Sequence, residues 1–270
     1  MSRSLLLVFI CSALFSNAQN ADWYRFNTLG EESNAFTAGK NRTLVGLQYF
    51  SGRTNWESLD RVFNAENREN AYVLSIQHGI TDKFDLYLGG NARVQTSRSS
   101  IPTEQTTRED RLFFGGRYTL YKGKKWIPAL GVSLGGQFQI YGEDIINSYW
   151  AWSFGDVGIH LTSKISDRLL LTASYSSYSD GLIGQVEYKL LERLSCRAGY
   201  MKKSSEYTFY TNIEEWLFLE GSFWVQDELN FSLSANRNLY DKVVSSRGDD
   251  VERSSWVLNA EVNWRINWDK

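Results

Sequence analysis

The last stretch of the chain constrains the fold more than any other. Trp256, Leu258, Ala260, Val262, Trp264, Ile266 and Trp268 are all even-numbered, and Asn259, Glu261, Asn263, Arg265 and Asn267 fall between them. A period of two sends successive side chains to opposite faces of a β-strand, so this strand has one apolar and one polar face. Strands of soluble sandwiches also alternate, but they usually run to about 5 to 6 residues, whereas a tilted strand crossing a bilayer needs about 9 to 11. The segment has the spanning length.

The same parity recurs upstream. Phe84, Leu86, Leu88, Gly90, Ala92 and Val94 interleave with Asp85, Tyr87, Gly89, Asn91, Arg93 and Gln95. Leu130, Val132, Leu134, Gly136, Phe138 and Ile140 alternate with Gly131, Ser133, Gly135, Gln137 and Gln139, and Val157, Ile159 and Leu161 with Asp156, Gly158, His160 and Thr162. Applied to the whole chain, the rule predicts strands near 42–54, 70–80, 84–96, 110–121, 126–141, 150–165, 169–179, 182–190, 194–203, 213–225, 229–240 and 254–268. That pattern is an all-β fold, an antiparallel transmembrane up-and-down β-barrel of about twelve strands.

The connections support the count. Bacterial barrels have short periplasmic turns, longer outer loops, and both termini on the periplasmic side. Ile80-Thr81-Asp82-Lys83, Tyr121-Lys122-Gly123-Lys124-Lys125, Ser166-Asp167-Arg168, Leu191-Glu192-Arg193 and Gln226-Asp227-Glu228 are tight and fall at every second connection. The stretches 55–69, 97–109, 142–149, 204–212 and 241–253 read as long polar loops, and Ser179-Asp180-Gly181 as one short outer hairpin with an Asp-Gly signal. Phe84, Trp126, Phe223, Trp264 and Trp268 fall near the periplasmic ends, Tyr72 and Trp256 near the outer ends, as interfacial girdles do.

The N-terminal residues read as an export signal. Arg3 precedes an apolar run over 5–15, broken by Cys11 and Ser12, and Ser16-Asn17-Ala18 offers a small-residue cleavage site. The expected organisation is a signal peptide over 1–18, a periplasmic N-terminal extension or lumen plug over 19–40, and an outer-membrane barrel over 41–270. Cleavage leaves Cys196 alone, so no intramolecular disulfide forms. No later apolar run approaches the roughly 20 residues of a spanning helix, which excludes a helical bundle. Two prolines against 15 Phe, 15 Tyr and 10 Trp favour strands. A net charge of -2 gives no reason to expect nucleic acid.

With the apolar parity facing lipid, the opposite parity lines the lumen. It places Asp85, Tyr87, Arg93, Arg111, Phe113, Arg117, Gln137, Asp156, His160, Glu187, Arg197, Glu220, Glu261 and Arg265 inside as candidate solute-contacting residues, with Lys164 and Lys189 beside them. Charges of both signs are present, so pairing across the lumen is expected rather than strong ion selectivity. Gly89, Gly115, Gly131, Gly135, Gly158 and Gly199 share this parity and either widen the lumen or relieve crowding. Tyr141, Trp216, Phe218 and Trp224 add apolar surface that packs the lumen or receives an amphipathic solute.

Chemistry is sparse. Of the two histidines, His78 falls on the apolar parity beside a turn. His160 shares a face with Asp156, but four residues along a strand span about 13 Å, too far for a direct Asp–His hydrogen bond. No catalytic residue, metal ligand set or cofactor is assigned, and the chain is expected not to be an enzyme. Gly248-Asp249-Asp250-Val251-Glu252 reads as a solvated acidic loop, and no phosphate-binding glycine loop precedes a helix. Trp56, Leu59, Val62 and Phe63 have approximate helical spacing, the pattern of a short lid over the mouth.

Three motifs carry a family resemblance: His78-Gly79-Ile80-Thr81-Asp82-Lys83-Phe84-Asp85-Leu86, Phe114-Gly115-Gly116-Arg117-Tyr118 and Gly155-Asp156-Val157-Gly158. Over its middle two-fifths the chain resembles the outer-membrane transporters labelled after the MetA pathway of phenol degradation. The resemblance implies a barrel in the cell outer membrane and uptake of small, often hydrophobic compounds; it supplies no catalytic residues. The expected function is a channel or transporter for passive uptake of small hydrophobic or aromatic solutes. The expected partners are outer-membrane lipid and lipopolysaccharide, the barrel-assembly machinery and a small-molecule solute, for a monomer. The alternatives are a structural or surface-interaction barrel with a plugged lumen, an outer-membrane lipid hydrolase, and a secreted soluble all-β binding protein.

Overall fold

Backbone pairing in the computed structural model follows the predicted alternation around a closed ring. The structure describes residues 37–58, 64–99, 104–124, 127–142, 152–176, 181–206, 210–245 and 251–268. Its strands are β1 (Arg42–Ser58), β2 (Asn64–Thr81), β3 (Phe84–Ser99), β4 (Glu104–Tyr121), β5 (Ala129–Gly142), β6 (Trp152–Ser166), β7 (Leu169–Ser176), β8 (Gly181–Leu191), β9 (Leu194–Glu206), β10 (Tyr210–Gln226), β11 (Leu229–Ser245) and β12 (Val251–Asn267). Each strand pairs antiparallel with the next, and β12 returns to β1 in a register from Arg42↔Asn267 to Ser58↔Val251. Closure leaves no sheet edge, the condition for placing strands in a solvent that cannot hydrogen-bond them.

All twelve strands lie where the alternation puts them, but several run further at the loop end than expected. β1 continues to Ser58, β2 starts at Asn64, β4 at Glu104 and β10 at Tyr210, and β11 reaches Ser245. Much of what reads as polar loop is therefore paired strand. Beyond an apolar layer both faces are wet, so the alternation fades while the backbone ladder persists. Cross-strand contacts such as Arg53–Glu66 at 2.7 Å and Thr96–Thr106 at 3.4 Å hold these extensions together. Trp56 belongs to β1, where the lid reading had a helix; Leu59, Val62 and Phe63 lie outside the described residues. So do the signal over 1–18, most of the 19–40 extension, Trp126, Asp180 and the 248–250 part of the acidic stretch.

The outer surface is apolar. Leu47, Leu74, Leu88, Leu134, Leu182, Leu219, Leu233 and Leu258 are all exposed, each on the outward parity of its strand. An apolar band of this extent around a closed sheet is far larger than the patches soluble monomers show. Aromatic side chains mark its two edges. Phe223, Trp264 and Trp268 are exposed at the end with tight turns; at the loop end Tyr49 and Tyr72 meet with ring centroids 5.0 Å apart, and Trp256 is exposed nearby.

Side chains also tie the closing seam at the turn end. The Trp268 indole N–H donates to Thr43 Oγ1 at 2.8 Å, Thr43 Oγ1 lies 2.9 Å from His78 Nδ1, and the Trp268 amide donates to the Asn41 carbonyl at 3.0 Å. His78 thus sits beside the turn, as its parity predicts, and serves the seam.

Residues 37–41 fold over the mouth at this end. Thr37 Oγ1 donates to the Asp82 carbonyl at 3.0 Å, and the Asn41 amide to the Gly79 carbonyl at 2.9 Å. The close approach requires a glycine at 79: an added Cβ would lie 1.8 Å from the Gly39 carbonyl oxygen. Gly39 and Asn41 take φ of 91° and 56°, the left-handed region that Gly and Asn tolerate best.

Candidate functional site in the barrel lumen

The inward parity builds a lumen in three layers. Nearest the turn end is a polar layer. Asp85, fully buried, accepts through Oδ2 from Gln77 Nε2 at 2.6 Å, Arg117 at 2.9 Å and the Ala38 amide at 3.0 Å. On the opposite wall Arg197 donates to Glu220, which also accepts from Ser222 Oγ at 3.1 Å, and Glu261 accepts from Ser232 Oγ at 3.2 Å. Glu187 stands opposite Arg197 in the β8–β9 register. Arg265 stacks over the Trp224 ring at 4.8 Å. His160 bridges three strands: Nε2 lies 3.0 Å from Ser133 Oγ on β5 and Nδ1 3.1 Å from Ser174 Oγ on β7.

The middle layer is apolar. Phe50, Ala71, Val73, Tyr87, Phe113, Ile183, Met201, Trp216 and Val257 form one buried cluster, with Phe218 packed against it. Its members come from β1–β4, β8–β10 and β12, so it reaches across the lumen. Three of the inward glycines explain how rings fit in so narrow a barrel. Register sets Gly89 opposite Phe113, Gly115 opposite Tyr87 and Gly199 opposite Phe218. A Cβ on these glycines would fall 2.2 to 2.3 Å from the facing ring atoms. Each ring therefore lies over its glycine. The reading that inward glycines widen the lumen is corrected at these positions: they seat aromatic side chains that narrow it. Gly158 likewise makes room for Ser133 and His160, whose side-chain atoms would lie 2.2 and 2.8 Å from an added Cβ.

Toward the loop end the lumen is charged again. Arg93 pairs with Glu69 at 2.8 Å and Glu109 at 3.4 Å, and Glu109 also accepts from Arg111 Nε at 2.7 Å. Across the barrel Arg253 meets Glu214 at 3.4 Å, and the Trp216 indole N–H donates to the same carboxylate at 3.2 Å, linking the apolar layer to the charged one. Among the described residues no group of three His, Cys, Asp or Glu is placed to hold a metal ion.

Of the residues predicted to face inward, Asp85, Tyr87, Arg111, Phe113, Arg117, His160, Arg197, Glu220 and Glu261 are buried. Arg93, Gln137, Glu187 and Arg265 are half-buried. Asp156 lies on β6 opposite Gly135, and its side chain, like that of Tyr141, is outside the described part. Lys164 and Lys189 are exposed, where the strands emerge at the turn end; Lys164 pairs with Asp167 at 2.7 Å. Parity alone brings these residues to one compartment without saying which meet. Sequence reasoning missed Glu69, Glu109 and Arg253 because they lie in strand extensions that read as loop; Glu214, Gln48 and Gln77 lie within the predicted strands on the inward parity. The one available signal was parity, carried for the first three beyond the apolar band.

A closed antiparallel barrel with an apolar exterior and a polar, layered interior is the architecture of outer-membrane β-barrels. No family model matches the chain, and no curated protein matches it in sequence. Its structure is similar to that of an outer membrane channel from Pseudomonas putida F1, with a TM-score of 0.58, 11% identity, and coverage of 86% of this chain and 98% of that one. It also resembles the KdgM porin in complex with disordered oligogalacturonate (TM-score 0.48, 10% identity, 81% and 98% covered). A third likeness is to the CymD monoaromatic hydrocarbon channel (0.48, 9%, 86% and 90%). The first of these likenesses shows the shared fold.

Proposed function

We propose that the chain resides in an outer membrane, with its tight turns in the periplasm, and passes small solutes with an apolar or aromatic part through its lumen. The observation that carries this reading is the apolar layer of Phe50, Phe113, Ile183, Met201 and Trp216 between two charged layers. An apolar constriction repels hydrated ions by dewetting, whereas an uncharged apolar solute replaces water there at a gain. The paired charges on either side keep both mouths wet while adding little net field. Passage follows the solute's gradient in this reading, and it requires the rings seated over Gly89, Gly115 and Gly199 to yield.

The test is flux through purified protein in liposomes, comparing an aromatic solute with an ion of similar size, for the wild type and a Phe113→Ala/Trp216→Ala double variant. The proposal expects entry of the aromatic solute, slow ion flux in the wild type, and faster ion flux once the layer is opened. If neither protein passes either solute, transport is refuted. The fallback is then a plugged structural barrel, which the near-complete burial of these rings favours. A third reading, a lipid hydrolase, draws on the Ser133–His160 contact at 3.0 Å. Against it, His160 Nδ1 faces a second serine hydroxyl, where a catalytic base is oriented by a carboxylate or amide.

A further inference from the structure

The exterior of β8–β12 carries small residues among larger apolar ones. Gly184 and Ala198 on one side of the β10 residues Leu217 and Leu219, and Ala235 between those leucines and Trp256 and Leu258 of β12, line a shallow depression of about 660 Å³. A Cβ built on Gly184 meets nothing within 4 Å, so the depression is open to the membrane side. Its volume falls in the range of small-molecule sites, roughly 300–1,000 Å³. Its lining is nearly all hydrocarbon, and one cation stands at its edge.

That cation is Arg237, exposed on the outward parity of β11, opposite Leu217 on β10 and Trp256 on β12. No acidic side chain pairs with it among the described residues. Lys202 on β9 and Glu215 on β10 satisfy each other at 3.1 Å. An arginine on the lipid face costs about 2–4 kcal/mol at the midplane and about 0–1 near the interface. The Trp256 ring beside it sits in the position of an interfacial girdle, so the guanidinium lies at headgroup level. Anions available at that level are lipid headgroups, and a guanidinium fork matches a phosphate bidentately.

We propose that this depression and Arg237 form a binding site for a diacyl lipid with an anionic phosphomonoester headgroup, its acyl chains straddling Leu217 and Leu219, one over Gly184 and Ala198 and one over Ala235, and the phosphate held by Arg237. The proposal rests on membrane residence as argued above and is independent of transport. It is tested with the full chain purified in neutral detergent, by titrating in a diacyl phosphatidic acid, a phosphatidylcholine with the same chains, or inorganic phosphate, and following thermal unfolding. Phosphatidic acid raises the melting temperature; the other two leave it unchanged. Arg237→Gln weakens the half-saturating concentration about tenfold, the loss of one charge-assisted contact. Gly184→Leu, which fills the depression without a clash, weakens it comparably. Heat-modifiable mobility verifies that both variants are folded barrels.

An unaltered response in both variants, or an equal response to phosphatidylcholine, overturns the site. A response to inorganic phosphate alone overturns the lipid assignment. A chain that stays soluble and folded without detergent overturns the membrane reading itself, an outcome distinct from the failure of this site in a detergent-requiring barrel.

Discussion

Removing Arg117 while keeping Asp85 probes the polar layer most directly. The two side chains are 1% and 0% exposed and meet at 2.9 Å, with Gln77 Nε2 and the Ala38 amide completing the carboxylate's donors. Arg117→Met keeps volume and removes the charge, leaving a buried carboxylate with two neutral donors. Breaking a buried ion pair from one side typically costs about 3–5 kcal/mol, because the remaining charge is uncompensated. At about 1.4 kcal/mol per factor of ten, the folded-to-unfolded ratio falls by two orders of magnitude or more. Adding Asp85→Leu removes that charge as well. Gln77 and Ala38 then lose an acceptor, at about 1–3 kcal/mol each unless lumen water replaces it. With lumen water accepting from these two donors, the double variant should be more stable than Arg117→Met alone. The assay is urea unfolding in micelles, followed by tryptophan fluorescence and by heat-modifiable mobility. The reasoning is refuted if Arg117→Met costs less than about 1 kcal/mol, or if the double variant loses the full sum of the two single losses.

Gly89→Val should destabilise by about 1–3 kcal/mol or more, since its Cβ would lie 2.2 Å from the Phe113 ring and 2.6 Å from the Leu74 carbonyl; partial recovery on adding Phe113→Ala, read as the melting temperature, would measure the ring's share, the backbone contact remaining. His160→Ala should lower stability by unbridging β5, β6 and β7 and leave phospholipid turnover at background; turnover abolished by this variant and by Ser133→Ala would instead establish the hydrolase. At the loop end, the Arg68 hydrogen bond, with Arg53 adding attraction, holds the Glu66 carboxyl below its ordinary value of 4.5 against a smaller upward pull from desolvation. A depressed folded value means the contribution is present above the unfolded value and lost as pH falls through the folded one. Protection of amides in the β1–β2 extension, corrected for the intrinsic exchange rate at each pH, should therefore fall below about pH 4.5, and Glu66→Gln should remove that dependence.

Most of the fold was legible because a barrel writes its two environments into the chain at a period of two. In β12 the even positions meet lipid and the odd positions the lumen, and nothing tertiary has to be known to read this. The strand ends were less legible for the same reason. Where β1, β2, β10 and β11 pass beyond the apolar band, Arg53, Glu66 and Glu215 face water where Leu47 or Leu74 faced lipid, and the pattern that marks a strand disappears although the hydrogen bonds do not.

Contacts within the lumen were legible only as membership of a face. Gly89 and Phe113 both carry inward parity, yet parity does not say how far β4 slides along β3. An offset of two residues would preserve every inward and outward assignment while moving Phe113 from Gly89 to Tyr87 or Asn91, the neighbouring inward positions on β3. At Tyr87 two rings would compete for one space; at Asn91 the glycine would face no ring. The native register is the one in which Phe113 falls on Gly89 and, two residues later on β4 and two earlier on β3, Gly115 falls on Tyr87. This reciprocal fit selects a register that parity leaves open. The glycines of β3 and β4 therefore contribute to folding specificity by accepting the rings that form the apolar layer, so mutations that widen the lumen at Phe113 should also weaken the register.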